Sequence, residues 1–135
     1  MTPLVIDNSV VLAWCLADED EPTAVGAMRR VAEAGAVVPR NWWYELRNAL
    51  LMNERRGRIR PRQVSDTLAD SLALGIAIDE DHDESLLLDF ARRLELTVYD
   101  AAYLEVAFRR GLPLATLDGA LRSAAEAVEV ALFSR

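Results

Sequence analysis

The sequence predicts an α/β fold: a three-layer α/β/α sandwich with a central five-stranded parallel sheet, in a single domain over residues 1–135. Three observations carry this. Five short apolar runs are continuous rather than alternating, as in strands covered on both faces. Longer stretches with helical periodicity lie between them, and strand–helix alternation of this kind builds parallel sheets. Glycines and prolines mark the joints. With 52% hydrophobic residues over 135 positions, the chain can bury a full core and is too apolar for disorder.

The elements follow in order. Leu4–Ile6 reads as the first strand, with helical patterns over 9–16 and 21–34 after it. Ala36–Val38 is the second strand, followed by helices at 42–56 and 62–73. Leu74–Ile78 is the third, with helices at 83–95 and 98–110. Leu112–Thr116 is the fourth, then a helix at 119–126 and a fifth strand at Val128–Leu132. Gly35 and Gly111 follow helices, Pro39 follows a strand, and Pro61 opens a helix.

Composition excludes several chemistries. A single cysteine, Cys15, allows no internal disulfide, and one histidine rules out a four-ligand Cys/His zinc site. All fifteen basic residues are arginine, so there is no P-loop lysine and no lysine Schiff base. A G-x-G-x-x-G dinucleotide fingerprint is missing too. No apolar run reaches the ~18 residues of a membrane span and no signal-type segment opens the sequence, so the reading is a cytoplasmic protein. The net charge of −7 disfavours a general nucleic-acid binder.

In open parallel sheets ligands bind at the carboxyl ends of the strands, which makes acids there informative. Asp7 in "VIDNSV" closes the first run, and Asp118 in "LATLDGAL" lies two residues past the fourth. Glu45 in "PRNWWYELRNAL" and Asp100 in "ELTVYDAAYLEVA" each lie early in a helix on that edge. Each has a plain structural role available. Asp7 can be a helix cap, Asp118 a turn residue, Glu45 a first-turn acid, and Asp100 the third member of a capping box with Thr97. Four acids on one edge are harder to explain that way. Two carboxylates ~5 Å apart repel by roughly 3 kcal/mol at an effective dielectric of ~20, which a cation would relieve.

"VIDNSV", the helical Glu45, "TVYDAAYLEVA" and the late "LATLD" together resemble a PIN domain, specifically the VapC type of toxin ribonuclease. The likeness runs the whole chain in order and spacing, and "YDAAY" and "T-x-D" are its most specific parts. It implies an acidic pocket for Mg²⁺ or Mn²⁺ made by Asp7, Glu45, Asp100 and Asp118, with Ser9 and Thr116 as neighbouring hydroxyls that bind substrate. Asp7 is then a metal ligand and Ser9 the helix cap beside it. Asn8 departs from the small or hydroxyl residue usual there, without touching the acid pattern. The resemblance further implies a homodimer and an antitoxin of the VapB type, whose basic C-terminal tail enters the pocket. The acidic balance of the chain suits a basic partner.

Hard oxygen ligands suit those dications, which activate water and offset charge on a phosphodiester transition state. Arg40, ahead of the Glu45 helix, is a candidate substrate contact, and Trp42 or Trp43 could stack a base. "ERRGRIRPR" holds Arg55, Arg56, Arg58, Arg60 and Arg62, a patch for RNA, for the antitoxin or for solubility. His82 sits in "DEDHDES", read as a solvated charged stretch; its D-x-D-x-D lacks the glycine and final acid of a calcium loop, at Glu84 and Phe90. The acidic run 18–21 reads as a charged helix start.

Two other readings stay open. An aspartyl-phosphate protein, such as a receiver domain or a haloacid-dehalogenase-like phosphatase, also ends a parallel strand on Asp; those folds add a lysine that this chain lacks. A non-catalytic PIN-like interaction module is the other, and the presence of all four acids weighs against it.

Overall fold

Leu4, Val5 and Ile6 have no solvent exposure and form β1 (Leu4–Ile6), the strand on which the sheet is organised. Burying side chains of this size stabilises the fold by about 1.5–3 kcal/mol each. The computed structural model describes residues 1–16 and 21–134. The acidic run 18–21 is therefore outside the described residues except for Glu21, whose carboxylate caps α2 by accepting the Thr23 amide.

After β1 come α1 (Asn8–Cys15), α2 (Pro22–Ala34), β2 (Ala36–Pro39), α3 (Asn41–Arg55) and α4 (Pro61–Ala73). Then follow β3 (Ile76–Asp79), α5 (Glu84–Arg93), α6 (Val98–Arg110), β4 (Leu114–Ala115) and α7 (Gly119–Ala127). α2 shows the logic of the helices: Ala24, Ala27, Met28 and Val31 are buried at helical spacing, and the small residues let the helix lie close on the sheet. Gly35 stops α2 at a φ of 81°, where a side chain's Cβ would press on the Gly75 carbonyl at 3.2 Å. Gly111 ends α6 in the left-handed conformation, and the Leu112 amide then caps the Ala107 carbonyl at 3.0 Å.

The strands run parallel in the order β3-β2-β1-β4. Val5 pairs with Val37 on one side and with Leu114 on the other, while Pro39 pairs with Asp79 at the end of β2. The chain steps from β1 to β2 to β3 in one direction, then crosses back to place β4 on the other side of β1. Right-handed crossovers put α1–α4 and α5–α6 on opposite faces. α6 packs on β1, β2 and β4, and α2 on β1 and β4. The order reverses between β1 and β4, the crevice where open α/β sheets bind ligands.

Among the described residues the sheet has four strands, not the five expected. The fifth run does reach the edge: Leu114 donates to the Ala131 carbonyl and accepts from the Phe133 amide, both at 2.9 Å, with Leu132 bridged in parallel. It stays a bridge because β4 offers only two residues and Glu129 turns at a φ of 61°. A second difference concerns β3. Ala77 and Ile78 are exposed, so this edge strand is not covered on both faces as its apolar run suggested. Leu74 and Gly75 belong to the turn out of α4, so the strand starts two residues later than expected and ends one later, on Asp79. Among the described residues no helix is long and apolar enough to cross a membrane.

Candidate active site

The Asp7 carboxylate joins the two halves of the switch point. Oδ1 accepts the Ser9 hydroxyl at 2.5 Å and the Ser9 and Val10 amides at 3.1 and 3.4 Å; Oδ2 accepts the Thr116 hydroxyl at 2.5 Å. Asp7 itself is the cap of α1, and Ser9 is not. The expectation for Ser9 fails because an aspartate at the strand end already reaches the first free amides of the helix. Ser9 instead accepts the Leu117 amide at 3.0 Å, and Thr116 accepts the Asp118 amide at 3.0 Å. Two hydroxyls thus clamp one carboxylate between the α1 start and the loop after β4. Thr116 has no exposure, and both hydroxyls are committed to Asp7, which gives them a positioning role rather than a face toward substrate.

Glu45 lies in the second turn of α3, half-buried. Its carboxylate accepts the Asn41 side-chain amide and, at 3.3 Å, the Tyr103 phenol of α6. Asp100 stands in the first turn of α6, its amide donating to the Thr97 hydroxyl at 3.1 Å. That is one half of the expected capping box. Asp118 caps α7 by accepting the Leu121 amide at 3.0 Å and is exposed.

The four acids feel one another around a closed circuit. Burial pushes the Asp7 carboxyl above its ordinary range against the hydrogen bonds of Ser9, Thr116 and Val10, and the charge of Asp118 adds to it. Burial also raises Glu45, with Asp100 and Asp7 adding and Asn41 and Tyr103 opposing. Asp100 is raised by burial and then by Asp118, against the Thr97 hydroxyl. Tyr103, fully buried beneath Glu45, Asp7 and Asp100, is pushed far up and stays a protonated donor. Burial is thus the main cause in Asp7, Glu45 and Asp100, and the neighbouring acids add to it.

In donor type and charge this ring fits a hard dication. The fit does not extend to preformed coordination: among the described residues no three Asp, Glu, His or Cys side chains are gathered closely enough to hold an ion.

Arg40 is exposed at the start of α3, one residue from Asn41. The tryptophan pair splits. Trp42 is buried with its indole N–H unpartnered, so it cannot stack a base, while Trp43 is 41% exposed with the Arg47 guanidinium 3.5 Å over its ring. Arg55 ends α3, ten residues beyond Glu45, and helix rise puts the arginine patch about 15 Å away, toward the opposite edge of the sheet.

Sequence reasoning missed Asn41, Tyr103 and a buried ion network. Asp79 ends β3 and pairs with Arg110 at 2.6 Å and Arg109 at 3.1 Å; Arg109 also grips Glu105 at 2.8 Å. Against burial, hydrogen bonds from Arg110, the Asp81 amide and Arg109 hold Asp79 below its ordinary range. The "DEDHDES" stretch is therefore solvated only after its first residue. The i,i+4 spacings Asn41–Glu45 and Glu105–Arg109 were the available signals.

The PIN domain family model matches residues 4–127. The chain belongs to the PIN domain family. PIN domains are generally metal-dependent nucleases and typically use divalent metals. Among solved structures, PAE2754 from Pyrobaculum aerophilum is similar at 24% identity with a TM-score of 0.71, covering 91% of this chain and 84% of that one. That likeness supports the PIN fold. No curated protein matches the sequence significantly.

Proposed function

We propose that this PIN domain is a Mg²⁺- or Mn²⁺-dependent endoribonuclease acting in the cytoplasm as the toxin of a toxin–antitoxin pair. What supports the reading is the buried Asp7 carboxylate at the β1 end, held by the Ser9 and Thr116 hydroxyls from two segments of the chain, with Asp118 and Glu45 as acidic neighbours. A fold gains nothing from confining four acids unless a cation balances them. Asp7, Glu45, Asp100 and Asp118 would hold the dication, which when bound supplies Lewis acidity and an activated water. Ser9 and Thr116 fix the Asp7 rotamer. Asn41 and Tyr103 fix Glu45, and Tyr103, held protonated, keeps that face of the pocket a donor to the carboxylate. Arg40 is the cation placed to meet a phosphate. His82 and Cys15 lie in no arrangement that supplies a base or nucleophile.

The net charge of −7 supports inhibition by an antitoxin with a basic tail, and we include homodimerisation in the same proposal. The test is cleavage of a fluorescent RNA with Mg²⁺ or Mn²⁺, with and without EDTA, beside Asp7→Asn. Asn caps a helix as well as Asp, so the variant should fold. Cleavage should require metal and disappear in the variant, as should growth arrest on expression. A folded Asp7→Asn protein that cuts like wild type removes the assignment.

A further inference from the structure

The helices that bring Glu45 and Asp100 to the site pack on different neighbours. α3 lies against α1 and α4, whereas α6 lies against α5, α7 and the sheet, and the two are on opposite faces. They meet at the carboxyl edge, through hydrogen bonds from their first two turns. Asn41 and Glu45 stand one turn apart on α3, and Tyr99 and Tyr103 one turn apart on α6 with Asp100 between them. The Asn41 side-chain nitrogen donates to Glu45 Oε2 and, at 3.2 Å, to the Tyr99 carbonyl. The Tyr103 phenol donates to Glu45 Oε1 at 3.3 Å. Four residues thus close a rectangle between two helices.

Asparagine suits this corner for a chemical reason. Both of its partners are pure acceptors, a carboxylate and a main-chain carbonyl, so its nitrogen faces both and spends its two hydrogens on them. A hydroxyl has one hydrogen to give, and a carboxylate or an aliphatic chain has none. Asn41 therefore holds Glu45 on one side and the first turn of α6, which carries Asp100, on the other. Tyr103, fully buried, holds the second oxygen of the same carboxylate from the next turn. A hard dication tolerates little slack, since Mg²⁺ takes its oxygens at about 2.0–2.1 Å in a near-octahedral array. Resting on the metal-dependent reading above, we propose that Asn41 is a positioning residue, which braces α3 against α6 so that Glu45 and Asp100 offer their carboxylates to the metal at a fixed spacing. Tyr103 is the second arm of the brace. Among the described residues the acids are not yet gathered to coordination distance, so an entering ion must draw them in. The brace confines that movement to side chains and keeps the two helix starts in place.

The test uses the full chain and Mn²⁺ alone, by titration calorimetry, with thermal melts and hydrogen exchange in EDTA beside it. Asn41→Leu keeps the branched shape and removes both donors. Its Mn²⁺ affinity should fall roughly 10- to 100-fold, as when a partner behind a metal ligand is lost. In EDTA the Asp100 and Ala101 amides, both bonded to Thr97, should exchange faster than in wild type. Tyr103→Phe keeps the buried ring, should weaken Mn²⁺ in the same direction, and decides the matter if Asn41→Leu does not fold. Asn53→Leu is the control for a structural role. Asn53 is buried farther along α3, where it bonds the Ala49 carbonyl and Arg58. Its loss should lower the melting temperature and leave Mn²⁺ affinity within about two-fold, as for a remote site. If wild type binds Mn²⁺ and both Asn41→Leu and Tyr103→Phe keep its Kd, the brace is refuted and the metal reading stands. The brace is equally refuted if Asn53→Leu weakens Mn²⁺ as much as Asn41→Leu, for then any loosening of α3 suffices. Wild type that binds no Mn²⁺ overturns the metal reading and the brace with it.

Discussion

Asp100→Asn separates the charge of Asp100 from its capping role, because asparagine keeps the backbone amide and a side-chain oxygen for the Thr97 hydroxyl. Its backbone amide caps α6 through Thr97, and asparagine keeps that amide. Its carboxylate is raised by burial and by Asp118, and it adds in turn to the raising of Glu45. Two like-charge contacts at a half-exposed position are worth about 0.5–1.5 kcal/mol after screening. A first-turn acid gives back about 0.3–0.5 kcal/mol against the helix dipole. Metal-free Asp100→Asn should therefore be at least as stable as wild type at pH 7, by up to about 1.2 kcal/mol. For 135 residues unfolding entropy is about 0.28 kcal/mol per kelvin, so Tm should rise by up to about 4 °C.

The pH dependence gives the sign independently. A carboxyl raised in the folded state holds its proton longer there than in the unfolded chain. Wild type then loses stability relative to the variant as pH rises through the folded value, and the two converge near pH 3. Mn²⁺ at about 100 times its Kd should return about 2.7 kcal/mol to wild type and much less to the variant. Thermal melts of both proteins at pH 3.5 and 7, in EDTA and in Mn²⁺, read all of this. An Asn variant less stable at pH 7 without metal, yet with a full Mn²⁺ response, would refute the reasoning and leave Asp100 a capping residue.

Arg109→Ala should strand Glu105 as a buried charge and leave Asp79 to Arg110 alone, costing about 3 kcal/mol, seen as a lower urea midpoint with an unchanged slope. Asp79, held low, should make wild-type stability fall in acid as that carboxylate protonates, and Asp79→Asn should flatten that limb of the profile. Neutralising Arg55, Arg56 and Arg62 should leave kcat intact, because the patch lies across the sheet from the acids. If it carries RNA, the salt slope should drop by about 0.7 per lost contact, and if it carries the antitoxin, only antitoxin affinity should fall. Cys15→Ser should leave cleavage within a few-fold, since the thiol's partner is the Thr67 hydroxyl at 2.9 Å.

Much of the fold was legible because local signals agreed. The runs at Leu4, Ala36 and Leu112 lie where strands form, and each helix falls within two residues of its expected ends. What was not legible depends on partners far along the chain. Tyr103 reaches Glu45 across 58 residues, and Thr116 reaches Asp7 across 109. Spacing could mark "YDAAY" as a motif without saying that its second tyrosine holds a carboxylate on another helix. The missing fifth strand has the same origin, since whether 128–132 pairs as a strand depends on how much of β4 remains to pair with.

Asp7 and Asp79 show where the limit lies. Both close parallel strands, both are about 5% exposed, and both hold the backbone amide of the residue two positions on. Position at a strand end offers no ground for treating them differently; only the resemblance carried by "VIDNSV" singles out Asp7. In the fold, Asp79 meets two guanidinium groups from the end of α6, while Asp7 meets only neutral donors and other acids. One charge is balanced within the chain and is structural. The other is left to be matched from outside, and that difference in counter-charge is the physical content of assigning a cation to Asp7.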